Sequence, residues 1–126
     1  MIEGIGNDII EIARIKANIE RYRERFLNRI FTPREQHYCN KKKESAIHFA
    51  GRFAAKEAVV KALGTGFSQG ITWLDVEIFN DDNGKPIVSV SSKLSELFDS
   101  PKLLISISHC REYATAFAIW VNNSQY

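Results

Sequence analysis

Glu57 and Lys61 stand four residues apart in the run Phe53-Ala54-Ala55-Lys56-Glu57-Ala58-Val59-Val60-Lys61-Ala62, with Arg52 just ahead of it. An acid placed four residues before a lysine is a favoured surface ion pair, worth roughly 0.2–0.5 kcal/mol. The surroundings weaken that ordinary reading. From Ala46 to Leu63, 13 of 18 residues are Ala, Gly, Val, Ile, Leu or Phe. A helix apolar on most faces belongs in an interior or an interface. A carboxylate there is costly unless it is paired or holds a metal. On the helical wheel Ala50, Ala54 and Ala58 flank Glu57 and Lys61 on one side, Phe53 and Val60 on the other. Small residues beside a charge leave room for a ligand. Arg52 and Lys56 fall on a second arc, where they either snorkel at the helix edge or contact phosphate.

Asp8 is the second carboxylate of interest. Alone, an acid near a strand end reads as a turn or cap residue. Paired in space with Glu57 it would suit a hard cation such as Mg²⁺, which takes one or two carboxylates plus phosphate oxygens and water. His109 closes the run Ile105-Ser106-Ile107-Ser108, and a lone histidine there is more often structural than catalytic. His37 and His48 carry a weaker signal, and no His/Cys set has zinc-ligand spacing. Gly64-Thr65-Gly66 follows a helix end, the wrong pole for an anion, so it is no P-loop. Arg14, Arg21 and Arg25 share a narrow arc behind an apolar stripe, which by itself reads as a solvated face. Tyr22 and Phe26 are expected on the core side of that helix.

The elements that must position these residues follow from period and punctuation. Ile2 to Ile10 reads as a strand with Gly4, Gly6, Asp8 and Ile10 on one face. Glu11 to Ile30 shows helical spacing. Thr32-Pro33 opens a short helix through Tyr38, and residues 40–43 form a basic loop. The long helix runs from Ser45 to Leu63, capped by Gly64-Thr65-Gly66. Thr72 to Phe79 alternates as a strand, residues 80–84 turn, and Lys85 to Val90 returns antiparallel. Ser91 or Ser92 caps a short helix through Phe98. Leu103 to His109 is a further strand, and Ala114 to Val121 is apolar enough to be central. Residues 122–126 are expected to fray. The pattern predicts a single α+β domain, residues 1–126, with a mainly antiparallel sheet.

The chain of 126 residues is 44% hydrophobic and 25% charged, which excludes a disordered or repetitive protein. No apolar run approaches the ~20 residues that span a bilayer, and the start lacks signal-peptide character. Cys39 and Cys110 are expected to be free thiols in a cytoplasmic protein. Net charge is only +2, yet residues 14–43 alone carry ten Lys/Arg against three Asp/Glu. That asymmetry predicts an acidic partner: nucleic acid, a phosphate ligand or an acidic protein.

Several motifs occur together and in order. They are Ile5-Gly6-Asn7-Asp8-Ile9, the run Gly51 to Ala62, Gly64-Thr65-Gly66, Asp75-Val76-Glu77-Ile78, Asn83-Gly84-Lys85-Pro86 and Ser106-Ile107-Ser108-His109. In these the chain closely resembles the holo-acyl-carrier-protein synthases, the small 4′-phosphopantetheinyl transferases, from Met1 to about Val121. The resemblance implies an α+β homotrimer with active sites at subunit interfaces. It implies transfer of 4′-phosphopantetheine from coenzyme A to a serine of acyl carrier protein. Adenosine 3′,5′-bisphosphate leaves, and the product supports fatty acid biosynthesis. It further implies that Asp8 and Glu57 hold Mg²⁺ and that Lys61 contacts the pyrophosphate. Arg52, Lys56, Gly64, Thr65, Gly66, Pro86 and His109 would line the coenzyme A site. Arg14, Arg21 and Arg25 would face the acidic carrier protein. Cys110 departs from the family, where a hydroxyl residue commonly follows the histidine. Neither nucleic acid nor a membrane is expected as partner.

Charge explains why such residues would serve. Attack of a serine hydroxyl on the β-phosphorus spreads negative charge over the pyrophosphate, and a cation and a lysine stabilise it. The serine proton would pass to Asp8, to Glu57 or to a water on the ion. The competing readings are a non-catalytic module that binds coenzyme A or an acidic protein, and a nucleic-acid binder using residues 14–43.

Overall fold

The computed structural model describes residues 1–122. The expected fraying of residues 123–126 lies outside the described residues. Strand β1 spans Ile2–Glu11. Helices α1 (Ile12–Tyr22), α2 (Glu24–Ile30), α3 (Pro33–Asn40) and α4 (Ser45–Leu63) follow. Then come β2 (Val76–Asn80), β3 (Pro86–Val90), α5 (Ser92–Leu97), β4 (Lys102–His109) and β5 (Tyr113–Val121). The strands form two antiparallel sheets, β1-β5-β4 and the ribbon β2-β3, rather than one. As the apolar content of 114–121 predicts, β5 is the middle strand of its sheet.

Helix α4 is the axis of the fold, with 12 of its 19 residues buried. One side packs small residues, Ala54, Ala55, Ala58 and Ala62, on Ala116 and Ala118 of β5 and on the ribbon residues Val76 and Ile78. The other side packs Phe49 and Ala50 against Ile12, Ile15, Ile30 and Phe31 of the α1–α3 layer. Gly64 closes α4 in the left-handed region at φ 81°, its N–H donating to the carbonyls of Val60 and Lys61.

Two expectations fail for local reasons. The helix over residues 11–30 breaks at Arg23, which takes φ 50°. Its N–H still bonds Ile19, while its carbonyl starts α2 by accepting from Phe26 and Leu27. With α1 ended there, Tyr22 swings out and is 42% exposed rather than turned to the core. The strand expected from Thr72 begins only at Val76. Asp75 reaches back to the Thr72 N–H at 2.8 Å and closes a 3₁₀ turn over Trp73–Asp75, a side-chain bond that alternation does not reveal. By contrast Thr32 caps α3 with Glu35 in a reciprocal capping box, and Ser91 caps α5.

The face Gly4, Gly6, Asp8, Ile10 turns toward α4. A Cβ at Gly6 would lie 2.0 Å from the Ala58 carbonyl oxygen, and one at Gly4 would lie 1.9 Å from that of Ala62. Strand backbone therefore lies directly on helix backbone. Gly6→Ala forces β1 off α4, and the expected loss is on the order of 3 kcal/mol, read by chemical denaturation. A loss under about 0.5 kcal/mol would show that the contact yields freely.

Candidate active site

Asp8 sits on β1 opposite Ala116 of β5, one residue pair beyond the glycine contact with α4. The Lys61 ammonium crosses from α4 to donate 3.0 Å bonds to the Asp8 carboxylate and to the Asn7 carbonyl. Lys61 is half exposed and Asp8 only 16%, so the ion pair lies at the rim of the fold. Glu57, one turn before Lys61, shares that rim. Its pKa is raised, first by burial and then by the like charge of Asp8, while Lys61 opposes the shift. The chain thus gathers two carboxylates and an ammonium from segments 53 residues apart.

That donor set is small. Among the described residues, no group of three or more His, Cys, Asp or Glu could hold a metal ion. Two carboxylates fit a cation that draws its remaining ligands from water and phosphate oxygens.

A second cluster forms on another face of α4. Arg52 is 4% exposed, with its guanidinium bonded to the Asn80 side chain and 4.0 Å from the Tyr38 ring centre. The Arg52 Nε is buried with no partner. The His48 ring contacts both Tyr38 and the exposed His109, each at 6.1 Å between centres. Burial and the neighbouring Arg52, Lys42 and His109 hold the His48 pKa down. Pro86 pairs with Asn80 across the ribbon, so it borders the same cluster. Around Gly64 and Gly66 there is open space, and Ser68 donates to the Thr65 carbonyl at 2.7 Å. His48 gives only a weak signal in sequence, and Tyr38 and Asn80 give none as site residues. His48 stands four residues before Arg52, a spacing that could have flagged it; the other two arrive from different elements.

Lys56 requires a correction. It is fully buried, 2.7 Å from Glu35, and donates to the carbonyls of Ile30 and Trp73. A lysine enclosed in this way contacts no phosphate. The hundred degrees separating neighbours on a helix turn Lys56 inward and Glu57 outward.

The break at Arg23 divides the arginines expected on one helical arc, leaving Arg14 and Arg21 on α1 and Arg25 on α2. Arg21 and Arg25 lie 5.2 and 5.9 Å from the centre of the Tyr22 ring. A groove of about 460 Å³ runs beside them, lined by Tyr22, Arg25, Phe26, Arg29 and Trp73 among others. Arg14 is exposed on α1. Cys39 is buried, its thiol pushed up to about 12 by burial, and Cys110 is exposed; both are free.

Residues 4–118 match the family model described as the 4′-phosphopantetheinyl transferase superfamily. The holo-[acyl-carrier-protein] synthase of Protochlamydia amoebophila is 73% identical over 120 residues, covering 95% of this chain and 98% of the relative. The crystal structure of a holo-(acyl-carrier-protein) synthase from Bacillus anthracis, in complex with CoA (3′,5′-ADP), is 40% identical. It superposes with a TM-score of 0.81 over 95% of this chain and 96% of that one. The Helicobacter pylori holo-[acyl-carrier-protein] synthase, in complex with coenzyme A, is 34% identical. Its TM-score is 0.85 over 93% and 99% of the two chains.

A carboxyl whose pKa is raised on folding favours the neutral form, so ionising it costs stability. That cost is absent below its ordinary value of 4.5 and grows as pH rises through the raised value. Glu57→Gln, melted with chelator present, is therefore expected to unfold at a higher temperature than the parent at pH 7. The difference should vanish below pH 4.5. Equal melting at pH 7 would mean that the folded chain does not disfavour the Glu57 charge.

Proposed function

Because the chain belongs to the 4′-phosphopantetheinyl transferase superfamily, we infer that it moves 4′-phosphopantetheine from coenzyme A to a serine of an acyl carrier protein. The observation that carries the reading is the meeting of Asp8, Glu57 and Lys61 at one rim. Asp8 and Glu57 would hold Mg²⁺, which when bound supplies positive charge against the diphosphate.

The chain's own groups supply the rest. The half-exposed Lys61 ammonium can turn from the Asn7 carbonyl to a phosphate oxygen. There it stabilises the charge that grows as the bond from phosphorus to the nucleotide breaks and the bond from the serine oxygen forms. The serine proton must go to a base. Asp8, Glu57 or a water on the ion would accept it, and a carboxylate that grips the cation is the weaker base of these. Adenosine 3′,5′-bisphosphate leaves. Arg52, Pro86, His109 and the Gly64-Thr65-Gly66 loop line the coenzyme A site, with His48 and Tyr38 joining them. Arg14, Arg21 and Arg25, with the exposed Tyr22 between the last two, receive the acidic carrier protein.

The active assembly in this reading is a homotrimer. Glu57 and Arg52 point about 140° apart on α4, so a single chain cannot turn both toward one ligand. Ile5, Ile9, Leu104 and Phe117 stand exposed on the outer face of the sheet β1-β5-β4. A contiguous apolar face of this kind suits burial against other copies.

Mass spectrometry of apo carrier protein incubated with the chain, coenzyme A and Mg²⁺ tests the activity. An added phosphopantetheine is expected, and an unmodified carrier would reject the transferase reading. Arg14→Glu with Arg21→Glu should raise KM for the carrier at least about tenfold and leave KM for coenzyme A unchanged; equal damage to both would remove the stripe from the carrier site. Phe117→Arg should turn a species three times the 14.4 kDa chain mass into monomer by light scattering, with loss of transfer. An active monomer would rule out the shared site.

A further inference from the structure

Helix α4 is apolar on nearly every face, so hydrophobic patterning gives it little preference among rotations about its own axis. A turn that exchanges one alanine or valine for another changes little in burial. For Glu57 the same turn is decisive, because one residue's worth of rotation swings its carboxylate away from β1. Arg52 on Asn80 and Lys61 on Asp8 also resist such a turn, and the polar group of α4 most fully enclosed against it is Lys56. Its side chain is 0% exposed, and its three ammonium hydrogens match three acceptors. These are the Glu35 Oε1 at 2.7 Å, the Ile30 carbonyl at 2.6 Å and the Trp73 carbonyl at 3.1 Å. Glu35 is equally enclosed. Its Oε1 accepts from the Thr32 N–H at 2.8 Å, and its Oε2 accepts from the Ile78 N–H at 2.7 Å.

The pair therefore joins α4 to the end of α2, the cap of α3, the turn before β2 and β2 itself. Stability alone does not account for it, since apolar residues of similar volume often replace a buried ion pair at no cost. Fixing a register is the best-attested use of such a pair. We propose that Glu35 and Lys56 set the rotation of α4 and thereby hold Glu57 opposite Asp8, making both of them positioning residues for the transfer reaction. The same bond to Ile30 ties that rotation to α2, which carries Arg25. The assignment rests on the reading of Asp8 and Glu57 as the working carboxylates.

The test is the double variant Glu35→Gln with Lys56→Met, which removes both charges of the pair together, compared with Phe49→Leu, a packing change in the same core. Steady-state kinetics are run well below the melting temperature of each. The double variant is expected to stay folded and to lose at least about tenfold in kcat, with KM for coenzyme A within about twofold of the parent. Its crystal structure should show α4 turned and Glu57 moved away from Asp8. Phe49→Leu should melt lower yet keep its kcat. A folded double variant with parental kcat, an unturned α4, or a kcat loss that tracks melting temperature alike in both variants would overturn the proposal. If the double variant does not fold, Glu35→Asp, which keeps both charges and pulls the anchor back by one methylene, carries the same comparison. A parent that transfers nothing would sink the functional reading instead, and the position of α4 in the variant crystal would then decide the register claim by itself.

Discussion

The approach of β1 to α4 without any side chain between them sets the geometry of everything else. Gly4 and Gly6 leave the Ala62 and Ala58 carbonyls in direct contact with strand backbone. Lys61 then spans the remaining gap and bonds both the Asn7 carbonyl and Asp8. Two residues beyond Gly6 on the same face, Asp8 reaches the level of Lys61 and Glu57 for that reason. Glycine is required here for space, since neither Gly4 nor Gly6 has a positive φ. The entropy that glycine costs in a strand is offset by a spacing no other residue permits.

The charges of α4 divide by how completely they are satisfied. Lys56 has an acceptor for every hydrogen and a counter-charge at 2.7 Å. Glu57 faces another carboxylate across a partly desolvated rim, with Lys61 opposing the shift that burial and Asp8 impose. Arg52 lies between the two, stacked and bonded yet with its Nε unpartnered. A satisfied charge holds structure together, whereas an unsatisfied one at a rim is poised for something outside the chain. The ordering Lys56, Arg52, Glu57 is thus one from scaffold to site along a single helix.

Much of this was legible from sequence, and what was not has a physical explanation. The α+β class, the span of α4, its glycine cap, the ribbon and the central place of β5 follow from period and punctuation. The convergence of Asp8 with Glu57 came from resemblance, since spacing along a chain carries no distance across it. Periodicity could not tell Lys56 from a solvent-facing lysine, because the deciding partner, Glu35, comes from a capping box on another helix. The break at Arg23 was equally hidden: helical spacing runs through it, and only φ 50° marks it. Trp73–Asp75 alternated like a strand while one side-chain bond from Asp75 made it a turn.

In the proposed trimer, one chain would hold halves of two sites. Glu57 looks toward β1, and Arg52 looks toward Tyr38 and Asn80 on α3 and β2. No hinge within α4 could bring them to a common ligand, because both are fixed to the same rigid helix. A diphosphate gripped at the rim of one copy would have to reach the cations of another. Ile9, which follows Asp8 on the strand, is exposed on the outer face together with Ile5. Burial of that face between copies would bring the seam alongside the carboxylates, so the force that assembles the protein and the geometry that completes its site would have the same origin.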